Sequence, residues 1–181
     1  MAKTGLQGIR YAVLTGDTYG TPASAGKGVK CSVSVKNNDA KLYADNALAE
    51  SDSTFSSASV SMEIDDDRQD VLATLLGRTP DATTGEVVRK ANDIAPYVGL
   101  GRVITKIVGG VAKYKAEFIC KVKFKEPNQE DTTKSDSVTF GTVTLEGDAS
   151  TISDGLTWSK TNTFDTLAEA VDYLDTCFGV A

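Results

Sequence analysis

The chain has 181 residues, which is within the range of a single domain, and its hydrophobic fraction of 40% is enough to form a core. The formal net charge of −6 argues against a protein that wraps nucleic acid, because such proteins carry basic patches that neutralise phosphates. The sequence contains no histidine, so a Ser-His-Asp or Cys-His catalytic arrangement is excluded in this chain.

The N-terminal region predicts one short strand and then a flexible segment. Apolar residues alternate over Ile9–Leu14, which is the pattern of a strand. Gly16–Gly28 is rich in glycine and small residues, a composition typical of a loop or flexible arm. We therefore expect one domain over residues 1–181, with residues 1–28 as a partly flexible N-terminal arm and loop.

Two strands with one apolar face are predicted on either side of a polar segment. Their apolar residues are Val29, Cys31, Val33 and Val35 in the first, and Ala58, Val60, Met62 and Ile64 in the second. Between them, Asn37-Asn38-Asp39 has the composition of a turn, because these side chains tolerate left-handed backbone. Residues 41–44 are expected to begin a return strand, and residues 45–54 to form a polar loop.

A short helix is predicted after the second of these strands. Asp65-Asp66-Asp67 is expected to open it, because negative side chains favour the unpaired amides of a helix N-terminus. Apolar residues recur at helical spacing over 71–76, and Gly77 stands where a C-cap belongs. A calcium-binding EF-hand is a poor match, because Asp70 and Leu76 occupy the positions that require Gly and Glu.

The longest strand signal covers Lys113–Glu126, where apolar residues from Tyr114 to Phe124 occupy every second position. This pattern predicts the central strand of an antiparallel sheet with one apolar and one wet face. Gly109-Gly110 predicts a hairpin turn before it. The preceding stretch, 96–108, has apolar residues at both odd and even positions, so it is expected to be buried on both faces or at an interface.

A C-terminal helix is predicted from a capping box formed by Thr166 and Glu169. Its apolar stripe consists of Leu167, Ala170, Val171, Leu174 and Phe178, and Gly179 is expected to end it. Trp158, the one tryptophan, is the large anchor of the irregular segment before this helix.

Neither a cofactor nor a metal is expected. The three cysteines are not spaced as zinc ligands, and their odd number cannot form a complete set of disulfides, so buried free thiols in a reducing cytosol are expected. The Gly20–Gly28 segment fails as a phosphate-binding loop, because Gly28 stands where Ser or Thr would hold magnesium. No apolar stretch is long enough to span a bilayer, so no membrane association is expected.

Several short landmarks occur in order along the chain, over roughly residues 5 to 158. They are Leu42-Tyr43-Ala44-Asp45-Asn46, Leu75-Leu76-Gly77, Ala95-Pro96-Tyr97-Val98-Gly99-Leu100-Gly101, Tyr114-Lys115-Ala116, Lys121 with Phe124, Pro127, Thr132-Thr133-Lys134 and Thr144-Leu145-Glu146-Gly147. In this order they resemble the major tail tube protein of long-tailed, non-contractile (siphovirus-type) bacteriophages, in the branch common among phages and prophages of Gram-positive bacteria.

The resemblance implies a mainly β fold, a β-sandwich or barrel of antiparallel strands with one packed short α-helix and a C-terminal helix. It implies a structural virion protein rather than an enzyme, whose subunits form stacked hexameric rings of a tail tube, a conduit for DNA ejection. Its partners would be further copies of the chain and the tail completion, tape measure and distal tail proteins, with DNA as transient cargo. The expected location is the phage tail, and the host cytoplasm during assembly.

A channel for DNA should attract the duplex weakly or repel it, and small polar and acidic side chains would do this. We hypothesise that such a lumen is faced by Ser57, Ser59, Ser61 and Glu63. The 16–28 arm and the 37–54 loop are expected to contact neighbouring subunits or rings. The residues proposed for these contacts are Tyr19, Asn37, Asn38, Tyr43, Asp45 and Asn46.

Two other functions fit the sequence. The inner tube protein of a contractile tail or secretion machine would share the architecture and need a sheath as its partner. A non-catalytic β-sandwich binding module would dock carbohydrate or protein, usually through exposed aromatic side chains.

Overall fold

The computed structural model describes residues 2–44, 47–65, 68–129 and 141–180, with the backbone alone for 40–44 and 47–52. Within these ranges the chain forms nine strands in one antiparallel sheet and two helices, so the predicted mainly β class is confirmed. The strands are β1 (Ala2–Thr15), β2 (Thr18–Tyr19), β3 (Ala23–Ser24), β4 (Gly28–Ala44), β5 (Ala47–Ile64), β6 (Tyr97–Val108), β7 (Val111–Phe124), β8 (Val143–Ala149) and β9 (Ser159–Phe164). The helices are α1 (Gln69–Leu76) and α2 (Leu167–Cys177).

The strand β7 connects the two halves of the sheet. The strand order is β2-β1-β6-β7-β8-β5-β4, with β3 added on β1 and β9 added on β7. Tyr114–Ile119 of β7 pairs with β9, whereas Val122–Phe124 pairs with β8. The prediction that this stretch is a central strand is therefore confirmed, as is the hairpin turn at Gly109-Gly110, where both residues have positive φ.

The expectation that one face of β7 is exposed to solvent is wrong for the middle of the strand. Ala116 and Phe118 face a core that is shared with α2, while Ile119 and Val122 both belong to the other core. Strand β6 pairs Val98 with Val122 and Leu100 with Ile119, so β7 has one residue more than β6 in this interval. This β-bulge reverses the phase of the apolar residues at the point where β7 changes partners.

Two cores lie on opposite sides of the β6–β7 pair. The first core contains residues of β1, β5 and α1. Because β1 and β5 are far apart in the strand order, they can share a core only if the sheet folds over on itself. The second lies between α2 and the other face of β1, β6 and β7. Every residue from Val98 to Ile104 is buried, which confirms burial on both faces for this part of the predicted 96–108 stretch, whereas Tyr97, Ile107 and Val108 are exposed.

The 16–28 segment is largely loop, as predicted, but it is held against β1 at two points. Its two short strands, β2 and β3, pair with β1, which is also longer than the predicted strand. Ala25 is fully buried, and its amide donates to the Ile9 carbonyl over 3.1 Å.

The predicted turn at Asn37-Asn38-Asp39 is also wrong. Strand β4 runs through these residues, which pair with Phe55, Thr54 and Ser53 of β5. The predicted polar loop at 45–54 is strand from Ala47 onward, and its first two residues lie outside the described residues. Strand pairing overrides the turn preference here, although the register shifts by one residue between Lys36 and Asn37.

Both helices end as predicted, but only α2 also begins as predicted. α1 is followed by Gly77 at φ 73°, yet its N-cap is Arg68, and the Asp65 carboxylate instead accepts from the Lys27 amide over 3.0 Å. Asp66 and Asp67 lie outside the described residues. In α2 the predicted capping box is present in full, and the helix ends before Gly179 at φ 79°.

Candidate assembly surfaces

The outer part of the β4–β5 hairpin extends beyond the rest of the sheet. Strand β8 pairs with β5 only over Ala58–Ile64, and β4 is the last strand in the order of the described sheet. Asn37–Ala44 and Ala47–Phe55 therefore form a two-stranded ribbon, which we call the ribbon, with both edges unpaired among the described residues. With a rise of about 3.3 Å per residue, it reaches roughly 25 Å past the sheet.

An aromatic stack anchors the base of the ribbon. Phe55 and Trp158 have ring centroids 4.8 Å apart and ring planes within 7° of parallel. The Trp158 carbonyl accepts from the Cys120 amide over 2.9 Å, which ties the same point to β7. The ribbon is thus held at one end, whereas an isolated two-stranded hairpin is at best marginally stable in water.

The residues predicted to contact other subunits have different surroundings. Asn37 and Asn38 are exposed on the ribbon, where Asp39, the next residue of β4, is also exposed. The backbone of Tyr43 pairs with Leu48 in the ribbon. Asp45 and Asn46 lie outside the described residues.

Tyr19 is partly buried against the core beneath α2, so only part of its side chain is open to a neighbouring copy. Its hydroxyl donates to the Cys120 carbonyl over 2.8 Å. Its ring packs edge-on against Phe118 and Phe178, with centroid distances of 5.3 Å and 5.9 Å. Burial accordingly raises the pKa of the Tyr19 hydroxyl. The sequence offered no signal for this contact, because Tyr19 is surrounded by loop-forming residues.

Ser57, Ser59, Ser61 and Glu63 lie on the outer face of β5, because the residues that alternate with them are at most 1% exposed. Polar side chains border them on both sides. On β4 these are Lys30, Ser32, Ser34 and Lys36, and on β8 they are Thr144, Glu146 and Asp148. The Glu63 carboxylate accepts from the Thr142 hydroxyl over 2.7 Å. The structure thus brings the four predicted residues together on one polar sheet face.

Arg102 and Glu117 form a buried ion pair that was not predicted from the sequence. Two guanidinium nitrogens of Arg102 donate to one Glu117 carboxylate oxygen over 2.8 Å and 2.6 Å. A third donates to the Cys31 carbonyl of β4, across a cleft of about 420 Å³ between β1 and β4. Arg102 therefore joins β6 to a strand with which β6 does not pair.

The described residues include no candidate metal site and no activated thiol. Among them, no group of three or more Cys, Asp or Glu side chains is arranged to hold a metal ion. Burial raises the pKa of the Cys31 and Cys177 thiols, and it raises that of Cys120 to about 11. Thiols with raised pKa values are protonated at neutral pH and are poor nucleophiles. Neither described helix has the length and hydrophobicity of a membrane span.

No protein-family model matches the chain, and no curated protein matches it significantly. The family landmarks found in the sequence fall on several elements. Leu42-Tyr43-Ala44 lies in the ribbon, the 95–101 stretch leads into β6, and 144–147 lies in β8. Residues 132–134 lie outside the described residues.

Proposed function

We propose that the chain is a structural subunit of a bacteriophage tail tube, in which copies form stacked rings around a channel for DNA. The single observation that carries the proposal is the ribbon, which extends roughly 25 Å past the sheet and has both edges unpaired in the part of the chain that the structure describes. Exposed strand edges are templates for pairing with another chain, and soluble monomers normally cover or shorten them. A long ribbon is best explained if a second copy covers it.

A head-to-tail contact, in which the ribbon of one copy meets a different surface of the next copy, would cover the ribbon in every copy of a closed ring. Such heterologous contacts close into a ring when the rotation per subunit divides the circle. Rings that also stack produce a tube, whose ends would meet the tail completion and distal tail proteins and whose lumen would hold the tape measure protein.

The outer face of β5 is the surface we assign to the lumen. It carries Ser57, Ser59 and Ser61, whose short side chains hold no charge, and Glu63 at its end. The adjacent strand β8 contributes Glu146 and Asp148. Strand β4 adds Lys30 and Lys36, so the acidic groups of this face slightly outnumber its cations and a duplex would be held only weakly.

Negative-stain microscopy of the concentrated protein tests the proposal. The wild-type chain is expected to form rings or hollow tubes. A variant in which Asn-Gly replaces residues 39–53 joins Asn38 to its register partner Thr54 through a two-residue hairpin turn. This variant is expected to keep its circular dichroism spectrum and lose the tubes.

A matched control changes the exposed turn at Thr83 and Thr84 to alanine, which leaves the ribbon intact, and it is expected to form tubes. Tubes from the ribbon-deleted variant would contradict the role of the ribbon. A wild-type chain that stays monomeric at high concentration and binds glycans would favour a β-sandwich binding module instead.

A further inference from the structure

Strands β1 and β4 leave a gap between two halves of the folded sheet. The edge of β1 over Ala2–Gly8 and the edge of β4 over Gly28–Lys36 face each other across the cleft of about 420 Å³, and neither edge has a strand partner in the described residues. We call these two edges the seam. It closes at one end, because a Cβ atom on Gly28 would lie 2.3 Å from Cδ1 of Ile9. Beyond that contact, the sheet has room that no strand in the described residues fills.

The core-facing side of β4 is uncovered along the seam. Val29 and Val35 are 53% and 47% exposed, and Cys31 and Val33 are only partly buried against the core. Their neighbours on β5, by contrast, are at most 1% exposed; these are Ala58, Val60, Met62 and Ile64. An apolar row that is sealed on one strand and wet on the next indicates that a further element belongs beside β4.

The seam is basic. The charged side chains on and beside its two edges are Lys3, Lys27, Lys30, Lys36, Arg102, Lys106, Glu63, Asp65 and Glu117. Cations therefore outnumber carboxylates two to one. Glu117 is already paired with Arg102, whereas Lys3 and Lys30 line the cleft without an ion pair among the described residues. An acidic strand with apolar residues is the element that such a seam would accept.

We propose that the ribbon of one copy lies along the seam of the next copy. The inference rests on the proposed function and names the surface that receives the ribbon. The lengths agree, because at about 3.3 Å per residue the β1 edge over Ala2–Gly8 is roughly 23 Å long and the ribbon extends roughly 25 Å. A strand added to a free edge gains backbone hydrogen bonds, and its side chains can complete a core left open on that side.

Charge selects the ribbon as the occupant. The sequence from Asn37 to Phe55 contains four acidic residues and one cation, which are Asp39, Asp45, Glu50, Asp52 and Lys41. An acidic ribbon is attracted to the basic seam, whereas two ribbons placed side by side would repel each other. One chain thus carries both an unpaired acidic ribbon and an unfilled basic seam, so a head-to-tail contact satisfies both in every copy of a ring.

The native thiol of Cys31 reports directly on the seam, because it lines the cleft and is partly exposed. Maleimide labelling followed by peptide mass spectrometry measures its rate of reaction. In dilute wild-type protein Cys31 is expected to react faster than the buried Cys120. In assembled protein the rate at Cys31 is expected to fall at least about tenfold, because the neighbouring ribbon must leave before the reagent can enter.

A contact between unlike surfaces also makes a prediction for mixtures. Val29→Asp puts a negative charge in the seam and leaves the ribbon intact, whereas the ribbon-deleted variant keeps an intact seam. Each variant alone is expected to stay monomeric, and a 1:1 mixture is expected to form dimers and nothing longer. With one chain labelled with nitrogen-15, Cys31 should be protected in the ribbon-deleted chain and not in its partner. Sedimentation velocity measures the size.

The matched control is Val88→Asp, since Val88 is also 53% exposed but lies outside the seam, and this variant is expected to form tubes. Lys30→Glu is a second seam variant that should prevent assembly, and circular dichroism checks that each variant is folded. Tubes from both seam variants, alongside wild-type tubes, would overturn this inference alone.

Two further results would also overturn this inference alone. One is a mixture without dimers, and the other is Cys31 labelling as slow in dilute protein as that of Cys120, which would show that the seam is already filled within one chain. A wild-type chain that forms no rings or tubes would overturn both this inference and the proposed function.

Discussion

Arg102 on β6 and Glu117 on β7 are cross-strand neighbours whose side chains form an ion pair inside the folded sheet. Arg102 is 7% exposed, and it also donates to the Cys31 carbonyl on β4. Because β1 and β4 face each other across an open cleft, this side chain bridges the two halves of the sheet where no backbone pairing does so in the described residues.

Removal of the Glu117 charge is expected to destabilise the fold strongly. Glu117→Gln leaves the Arg102 cation buried without its counter-ion, and breaking such a pair typically costs about 3–5 kcal/mol. Urea unfolding followed by circular dichroism measures the change. The control is Asp148→Asn, which breaks an exposed ion pair with Lys125 and is expected to change stability little. Equal effects of the two substitutions would show that Arg102 does not need its partner.

The same pair predicts a dependence of stability on pH. Burial opposes ionisation of Glu117, but the Arg102 guanidinium outweighs it, so the pKa of this carboxyl is lowered from 4.5. A lowered folded-state pKa contributes stability that is fully present above 4.5 and is lost as pH falls through the folded-state pKa. The free energy of unfolding of the wild type should therefore drop more steeply in this acid range than that of Glu117→Gln. Parallel pH profiles for the two proteins would refute this.

Gly77 is expected to tolerate no side chain. Its φ of 73° is left-handed, and a Cβ atom there would be 2.1 Å from the Ile94 carbonyl oxygen. Gly155→Ala is the matched control, because Gly155 has a φ of 69° but nothing within 4 Å of its Cβ position. The control should cost only the left-handed strain of about 1–2 kcal/mol, and Gly77→Ala should cost more. Thermal unfolding measures both, and similar melting temperatures would contradict the predicted clash.

The capping box of α2 should contribute measurably to stability. The Thr166 hydroxyl accepts from the Glu169 amide over 3.3 Å, and the Glu169 carboxylate accepts from the Thr166 amide over 3.1 Å. Thr166→Ala is expected to lower the free energy of unfolding by about 1 kcal/mol, as the loss of an N-cap usually does. Thr161→Ala, at an exposed position of β9, is the control. An equal loss in both variants would argue against a specific capping effect.

The sequence was sufficient where local chemistry decides the structure. The capping residues Thr166 and Glu169, the Gly109-Gly110 turn and the helix end at Gly77 were all predicted correctly. Each depends on a backbone preference or a hydrogen bond within a few residues, so neighbouring residues carry the necessary information.

Prediction failed where distant residues decide the structure. The alternation from Tyr114 to Phe124 looks continuous, yet a bulge between Ile119 and Val122 divides it between two cores. Only the positions of β8, β9 and α2 show why the phase must change there. The turn composition at Asn37–Asp39 was similarly overridden by strand pairing with β5. The turn propensity of three residues is weak compared with the backbone pairing of two long strands.

The candidate surfaces were predicted in part. The alternation at 57–63 correctly grouped four polar residues on one face, because period-two patterns determine which side chains share a face. The packing of Tyr19 within its own chain was not predicted, because its contacts with Phe118 and Phe178 come from residues about 100 and 160 positions away along the chain.

Hydrogen–deuterium exchange over the ribbon, measured in dilute and in concentrated protein, tests the central claim most directly. If copies of the chain assemble by covering the ribbon, the amides of residues 37–39 and 53–55 should exchange at least about tenfold more slowly in the concentrated sample, because local opening then requires loss of the contact. Amides of the buried β6 segment from Val98 to Ile104 should exchange slowly in both samples. Equal exchange of the ribbon at the two concentrations would contradict the account.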